Sequence, residues 1–178
     1  YTLKRPVSCC GIGLHAGRTV NLTIKPAPAN SGIRFVRSDL VTNQTIPAHM
    51  RQVVDTRLAT TLGNGSTRVA TTEHLLAALH GSGIDNAEIE LDSYEVPIMD
   101  GSAAPFLRLL ANGGRRKQRA LRRVLRITKP VSYVDGAKTI RIEPYDGFKV
   151  TGHIDFADGV IGDQEYSIDV TAERFRKE

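Results

Sequence analysis

Two stretches of this chain spell the same strand pattern, and that repeat constrains the fold more than any single motif. Lys4-Arg5-Pro6-Val7-Ser8 recurs as Thr128-Lys129-Pro130-Val131-Ser132, and Asn21-Leu22-Thr23-Ile24-Lys25-Pro26 as Thr139-Ile140-Arg141-Ile142-Glu143-Pro144. Ser31-Gly32-Ile33-Arg34-Phe35-Val36 is then echoed by Asp146-Gly147-Phe148-Lys149-Val150. Apolar and polar residues alternate with period two in each copy, the pattern of half-buried strands. Two β-rich units in tandem follow, a duplication and not a solenoid. A chain of 178 residues is long enough for one ordinary domain or two small ones.

The copies differ where function tends to sit. Pro6 and Pro26 are 20 residues apart, whereas Pro130 and Pro144 are 14 apart. The surplus in the first copy is Cys10-Gly11-Ile12-Gly13-Leu14-His15-Ala16-Gly17, a glycine-punctuated loop that carries a His between two strands. It reads equally as a functional loop or as a long hairpin with an exposed His.

The first unit continues to completion. Leu58–Leu62 and Thr67–Ala70 flank Gly63-Asn64-Gly65-Ser66, a hairpin signal. A helix is predicted over 72–80, capped by Thr71 or Thr72, with Leu75, Leu76 and Leu79 as its apolar face. A strand follows at Ala87–Leu91, then a second helix opened by Asp100–Phe106 with Ser102 as N-cap and Pro105 in the first turn. Strands with helices on one face make an α+β two-layer sandwich. The second unit offers strands near 124–134, 137–143, 148–156 and 165–170, and the start of a helix after Thr171. The domain division is therefore 1–113 for a complete sandwich, 114–123 for a basic linker, and 124–178 for a partial second copy. With its helices missing, that copy would expose an apolar sheet face, and the chain reads as a fragment of a longer protein.

The net charge of +5 comes from one segment. Arg115, Arg116, Lys117, Arg119, Arg122, Arg123 and Arg126 follow one another without an acid, and the other 17 basic residues are outnumbered by 19 acidic ones. Basic runs can bind nucleic acid or anionic lipid. This one has no interleaved aromatics and follows the helix stop Asn112-Gly113-Gly114, so a solvated connector is the better reading. Adjacent Cys9 and Cys10 form neither a disulfide framework nor a CxxC motif, which favours a reducing, cytoplasmic setting. No apolar run approaches the ~20 residues that span a bilayer, and Tyr1–Pro6 has no signal-peptide core.

Thr71-Thr72-Glu73-His74-Leu75-Leu76 carries the chemistry. A carboxylate beside an imidazole at a helix start suits metal-assisted hydrolysis, the imidazole as ligand and the carboxylate as proton acceptor. Taken alone the pair also fits an ordinary helix start. His80 lies six residues on, roughly 600° around a helix, and does not share a face with His74. His49 and His153 have no metal spacing to neighbouring donors.

Four motifs in order carry a resemblance: Gly11–Gly17, Asp55-Thr56-Arg57-Leu58-Ala59-Thr60, Thr72-Glu73-His74-Leu75, and Pro97-Ile98-Met99-Asp100-Gly101-Ser102-Ala103-Ala104-Pro105-Phe106. Together they closely resemble the zinc-dependent UDP-3-O-acyl-N-acetylglucosamine deacetylases of lipid A biosynthesis in Gram-negative bacteria. The resemblance implies two homologous α+β sandwich domains, of a type also found in ribosomal proteins, and removal of an N-acetyl group from a UDP-sugar. It implies that His74 is a zinc ligand and that Glu73 takes the proton of the zinc-bound water. It places His15 in a loop at the active-site entrance, Asp100 in the polar network of the cleft, and Asp155 and Phe156 where the uracil ring is received.

Further zinc ligands, in a His-Lys-x-x-Asp motif, and a general-acid His are expected beyond residue 178. The fragment alone is then expected to be inactive. Its expected partner is the UDP-3-O-acyl-N-acetylglucosamine substrate and not nucleic acid, the full-length protein is expected as a monomer, and the exposed half-domain is expected to self-associate. An RNA-binding module built on Arg115–Arg126 is the competing reading; it leaves Glu73-His74 and Asp100–Phe106 unexplained. A purely structural duplicated domain is the third.

Overall fold

The computed structural model describes residues 1–42 and 44–177; Asn43 and Glu178, the last residue of the second expected domain, lie outside the described residues. The chain is mixed α/β, with few helices and several sheets, consistent with the α+β class. It divides into two compact units, residues 1–120 and 121–178.

The first unit opens with a short strand β1 (Thr2–Leu3) and a hairpin of β2 (Val7–Ile12) and β3 (Thr19–Pro26). A second hairpin pairs β4 (Ile33–Arg37) with β5 (Thr45–Pro47). A smaller antiparallel sheet holds β6 (Val53–Asp55), β7 (Thr61–Asn64) and β8 (Thr67–Val69). Helix α1 (Glu73–Gly81) leads to β9 (Ala87–Leu91), and helix α2 (Ala104–Gly113) to β10 (Arg115–Arg116).

β9 enters the main sheet between the two hairpins, giving the order β2-β3-β9-β4-β5. It runs antiparallel to β3, with Ile24 opposite Ile89, and parallel to β4, with Phe35 opposite Ile89. Strand alternation decides the two faces. Val20, Leu22, Ile24, Phe35, Ala87, Ile89 and Leu91 point inward and form one core with Leu75, Ala78, Leu79, Phe106 and Leu110 of the helices. Glu88 and Glu90 point outward, where Glu88 pairs with Arg34 at 2.9 Å and Glu90 with Lys25. Such half-exposed cross-strand pairs steady the register more than they add stability.

Three local expectations are corrected. Thr72 occupies the N-cap position of α1 but makes no capping bond: its hydroxyl donates to Thr60 O at 3.1 Å, and Thr71 Oγ1 is committed to Glu95. Ala103, not Ser102, is the N-cap of α2, although Ser102 Oγ still accepts from Ala104 N at 3.1 Å. Arg115 and Arg116, expected in a solvated connector, are strand β10, paired with β1. Arg115 lies over the Tyr1 ring at 4.2 Å, and Gln118 donates to Ala27 O at 2.8 Å. The end of α2 explains this closure. A Cβ at Gly113 would stand 2.4 Å from Leu3 Cδ2, so only a glycine lets β1 lie this close.

The second unit consists of two antiparallel hairpins, β11 (Val131–Asp135) with β12 (Lys138–Ile142) and β13 (Lys149–Asp155) with β14 (Asp163–Asp169), followed by α3 (Arg174–Lys177). Val131 faces Ile142 as Val7 faces Ile24 in the first unit. Residues 124–130, expected to extend the first of these strands, are not strand, and Val124 and Leu125 are exposed. A strand needs a partner for its N–H and C=O groups, and pairing here begins only at Val131. Tyr133, Ile140, Phe148 and Ile154 are exposed as well.

Phe106 is fully buried where α2 meets the sheet of the first unit. Phe106→Ala is expected to lower the free energy of unfolding by about 3–5 kcal/mol. Urea denaturation followed by circular dichroism measures this, and a loss below about 1 kcal/mol would show that α2 does not rest on this ring.

Candidate functional site

The site is assembled around the start of α1. Glu73 is its first residue and exposed, and His74 is half-buried. Glu73 Oε1 accepts the backbone N–H of Thr60, while the hydroxyl of Thr72 donates to the carbonyl of the same residue. Both polar groups of one peptide residue are thus held by consecutive residues at the helix start, which fixes the Glu73 carboxylate against the lead-in to β7. Neighbours on a helix diverge by about 100°, so the His74 imidazole projects in a different direction.

Residues 94–99 form a strap that joins this helix start to the end of β2. On one side Ala70 N donates to Tyr94 O at 2.8 Å and Val96 N to Ala70 O at 3.0 Å. On the other, Ile98 N donates to Ile12 O at 2.9 Å. The glycine-rich turn beyond β2 is closed by Gly13 N to Arg18 O and Gly17 N to Gly13 O, both 3.0 Å. His15 is exposed at the tip of that turn.

Glu95, which the sequence reading missed, lies between turn and helix with no exposed surface. Its Oε1 accepts from His15 N at 3.0 Å and from Thr71 Oγ1 at 2.8 Å, and its Oε2 from Ala16 N at 2.7 Å. Burial opposes ionisation, but the His15 and Ala16 N–H groups and the Thr71 hydroxyl outweigh it and hold the carboxyl below the usual glutamate value. Thr71 itself sits at φ +57, a left-handed conformation that a β-branched residue adopts only when its surroundings impose it. A signal did exist in the sequence. An acid directly followed by Val96-Pro97-Ile98-Met99 is poorly placed for solvent, and a buried acid needs partners.

The other expected residues have local structural roles. Asp100 Oδ1 accepts from Ser102 N at 2.9 Å and Ser102 Oγ at 2.8 Å, and these bonds keep its carboxyl below the usual aspartate value. It thus shapes the turn into α2. Asp55 is gripped by Arg57, with Nη2 to Oδ2 at 2.7 Å, and its carboxyl is held far below the usual range. Asp155 and Phe156 belong to the second unit, at the end of β13, where Phe156 N donates to Gly162 O at 3.0 Å and the ring is exposed. In the same hairpin His153 bonds Asp163 at 2.9 Å, which raises its pKa.

A catalytic zinc takes about three protein donors and a water. Among the described residues no group of three His, Cys, Asp or Glu side chains stands close enough to hold a metal ion. The described residues alone therefore do not make up a zinc site. Among them, too, no helix is long and apolar enough to cross a membrane.

A family model described as UDP-3-O-acyl N-acetylglycosamine deacetylase matches residues 1–178. The protein named UDP-3-O-acyl-N-acetylglucosamine deacetylase in Anaeromyxobacter dehalogenans is 48% identical over 177 residues, 99% of this chain and 57% of its own length. Its namesake in Acidithiobacillus ferrooxidans is 49% identical over 179 residues, 99% of this chain and 59% of its own length. That of Myxococcus xanthus is 50% identical over 177 residues, again 99% of this chain and 56% of its own. The chain spans less than three-fifths of the length of these relatives.

The Glu95 arrangement has a consequence for acid stability. Its folded pKa is depressed, so it contributes stability that is complete above the unfolded value of about 4.3 and lost as pH falls through the folded value. Between about pH 6 and pH 3 the urea midpoint of the wild-type chain is expected to fall more steeply than that of Glu95→Gln. Equal slopes would mean that Glu95 titrates as it does in the unfolded chain.

Proposed function

The chain belongs to the UDP-3-O-acyl N-acetylglycosamine deacetylase family, and on that premise we propose that it supplies part of the active site of a zinc-dependent deacetylase. The proposed reaction is hydrolysis of the N-acetyl group of UDP-3-O-(3-hydroxyacyl)-N-acetylglucosamine, a step toward lipid A. Water adds to the acetamide carbonyl, the C–N bond breaks, and acetate and the free amine leave.

The observation that carries this reading is a Glu73 carboxylate held by the Thr60 N–H at a helix start, with the half-buried His74 as the next residue of that helix. Glu73 accepts a proton from the attacking water, and the Thr60 N–H holds its carboxyl group in one orientation meanwhile. His74 is one zinc donor, the others coming from the part of the relatives' length that this chain does not span. When bound, zinc supplies Lewis acidity and lowers the pKa of its water toward ~7. His15 lines the entrance on the turn held by Glu95, Asp100 keeps the neighbouring turn in shape, and Asp155 with Phe156 receives the uracil ring.

The same family reading makes the second unit a partial copy of the first. The matching cross-strand pairs Val7–Ile24 and Val131–Ile142 support it. Its exposed apolar residues support self-association of residues 1–178 in isolation, and a single donor at His74 supports little or no activity from them alone.

The test uses the uninterrupted gene product. His74→Ala is expected to lose bound zinc and activity together. Glu73→Gln is expected to keep zinc while kcat falls by about 10²–10⁴-fold. Metal content by atomic emission and acetate release from the UDP-sugar give both readings. A folded, zinc-loaded protein that releases no acetate would sink the assignment.

A further inference from the structure

We propose that Glu95 is a positioning residue of this site: its buried carboxylate holds the His15 turn against the start of α1 and so sets where the His15 imidazole stands. The inference rests on the deacetylase reading of Glu73, His74 and His15.

A carboxylate with no exposed surface is an unfavourable way to fill space, and an apolar side chain of similar volume would pack there with less penalty. What a carboxylate adds is directed acceptors. Those of Glu95 meet donors from two segments remote in sequence, the His15 and Ala16 N–H groups and the Thr71 hydroxyl. Backbone donors serve geometry: they fix the chain at residues 15 and 16 while leaving the imidazole exposed at the tip of the turn.

The surroundings are shaped for this group. A Cβ at Gly13 would stand 2.6 Å from Glu95 Oε2, so the turn has room for the carboxylate only with glycine at that position. Thr71 is held in a left-handed backbone conformation two residues before Glu73, and its hydroxyl bond to Oε1 ties that strained residue to the same carboxylate. Glu95 therefore stands one bond from the His15 turn and one bond from the segment that launches Glu73 and His74. Three of its four hydrogen bonds go to residues 15 and 16, so the imidazole of His15 is the group whose place it governs most.

The test is a double-mutant cycle in the full-length, zinc-loaded protein. kcat and KM are measured for wild type, Glu95→Gln, His15→Ala and the pair, with the thermal melt of each as a check on folding. The amide of Glu95→Gln keeps one acceptor oxygen but replaces the other with an NH2 donor, so one side of the pair of segments loses its acceptor and the turn is loosened. Glu95→Gln is expected to lower kcat/KM about tenfold or more, His15→Ala by at least as much, and Glu95→Gln to cost less than about threefold further once the imidazole is gone. A structural role would give the full additional loss in the His15→Ala background, and that result overturns the proposal. So does an unchanged Glu95→Gln enzyme, or an unchanged His15→Ala enzyme beside a crippled Glu95→Gln. Should Glu95→Gln not fold, Gly13→Ala displaces the same carboxylate and carries the same cycle, with the same criteria. Absence of deacetylation by folded wild type would sink the deacetylase reading itself, whereas an active wild type with additive losses sinks this inference alone.

Discussion

β9 lies between β3 and β4, antiparallel to one and parallel to the other, and joins two hairpins that would otherwise be separate ribbons. An isolated hairpin is marginal in water because it has no second layer to bury its apolar side. With β9 in place the first unit has one five-stranded surface, wide enough for α1 and α2 to cover, and Ile89 and Leu91 sit at its centre. Among the described residues of the second unit no strand joins the hairpins. Its hairpins β11-β12 and β13-β14 remain separate two-stranded sheets, and Tyr133, Ile140 and Ile154 face solvent.

The same strand delivers the site. At its end Leu91 O accepts from Ser38 N, and Asp92 takes both the backbone and the side-chain N–H of Asn21, at 2.8 and 2.7 Å. These bonds fix where the chain leaves the sheet, and three residues later Glu95 enters the space between the His15 turn and Thr71. The strap that follows is pinned on both flanks by backbone bonds to Ala70 and Ile12. Close packing at Gly11, where a Cβ would meet Pro97 Cβ at 2.8 Å, keeps the strap against β2. The site is thus an extension of the core's geometry, reached without a long free loop.

What was legible in the sequence follows from how local each signal is. Ala87–Leu91 announced itself, because alternating apolar and acidic residues in a short run admit little but a half-buried strand. α1 was visible for the same reason, through Leu75 and Leu79. Its cap was not: two threonines at a helix start look like capping residues, and only the fold shows that their hydroxyls are taken by Thr60 and Glu95. Arg115 and Arg116 looked like linker because their strand partner is Thr2–Leu3, more than a hundred residues away. Glu95 escaped for a related reason, since pattern reading assigns single acids to the surface and its donors are remote in sequence. The adjacency of Glu73 and His74 was plain, whereas a metal site gathers donors across a chain and cannot be counted from one motif.

The division of labour within the site follows from which groups are backbone and which are side chain. The bonds that hold Glu73 and the His15 turn involve peptide N–H groups on one side and a carboxylate on the other. A peptide N–H is lost only on substitution by proline and does not titrate in the working range, so the readily adjustable member of each bond is the acid. One acid, Glu73, is exposed at the start of α1. The other, Glu95, is sealed and held ionised by its donors. Two carboxylates anchored by backbone N–H groups thus differ in exposure and in partners: the exposed one meets solvent, as the proposed proton acceptor must, and the buried one, with the Thr71 hydroxyl as a further donor, ties two remote segments together.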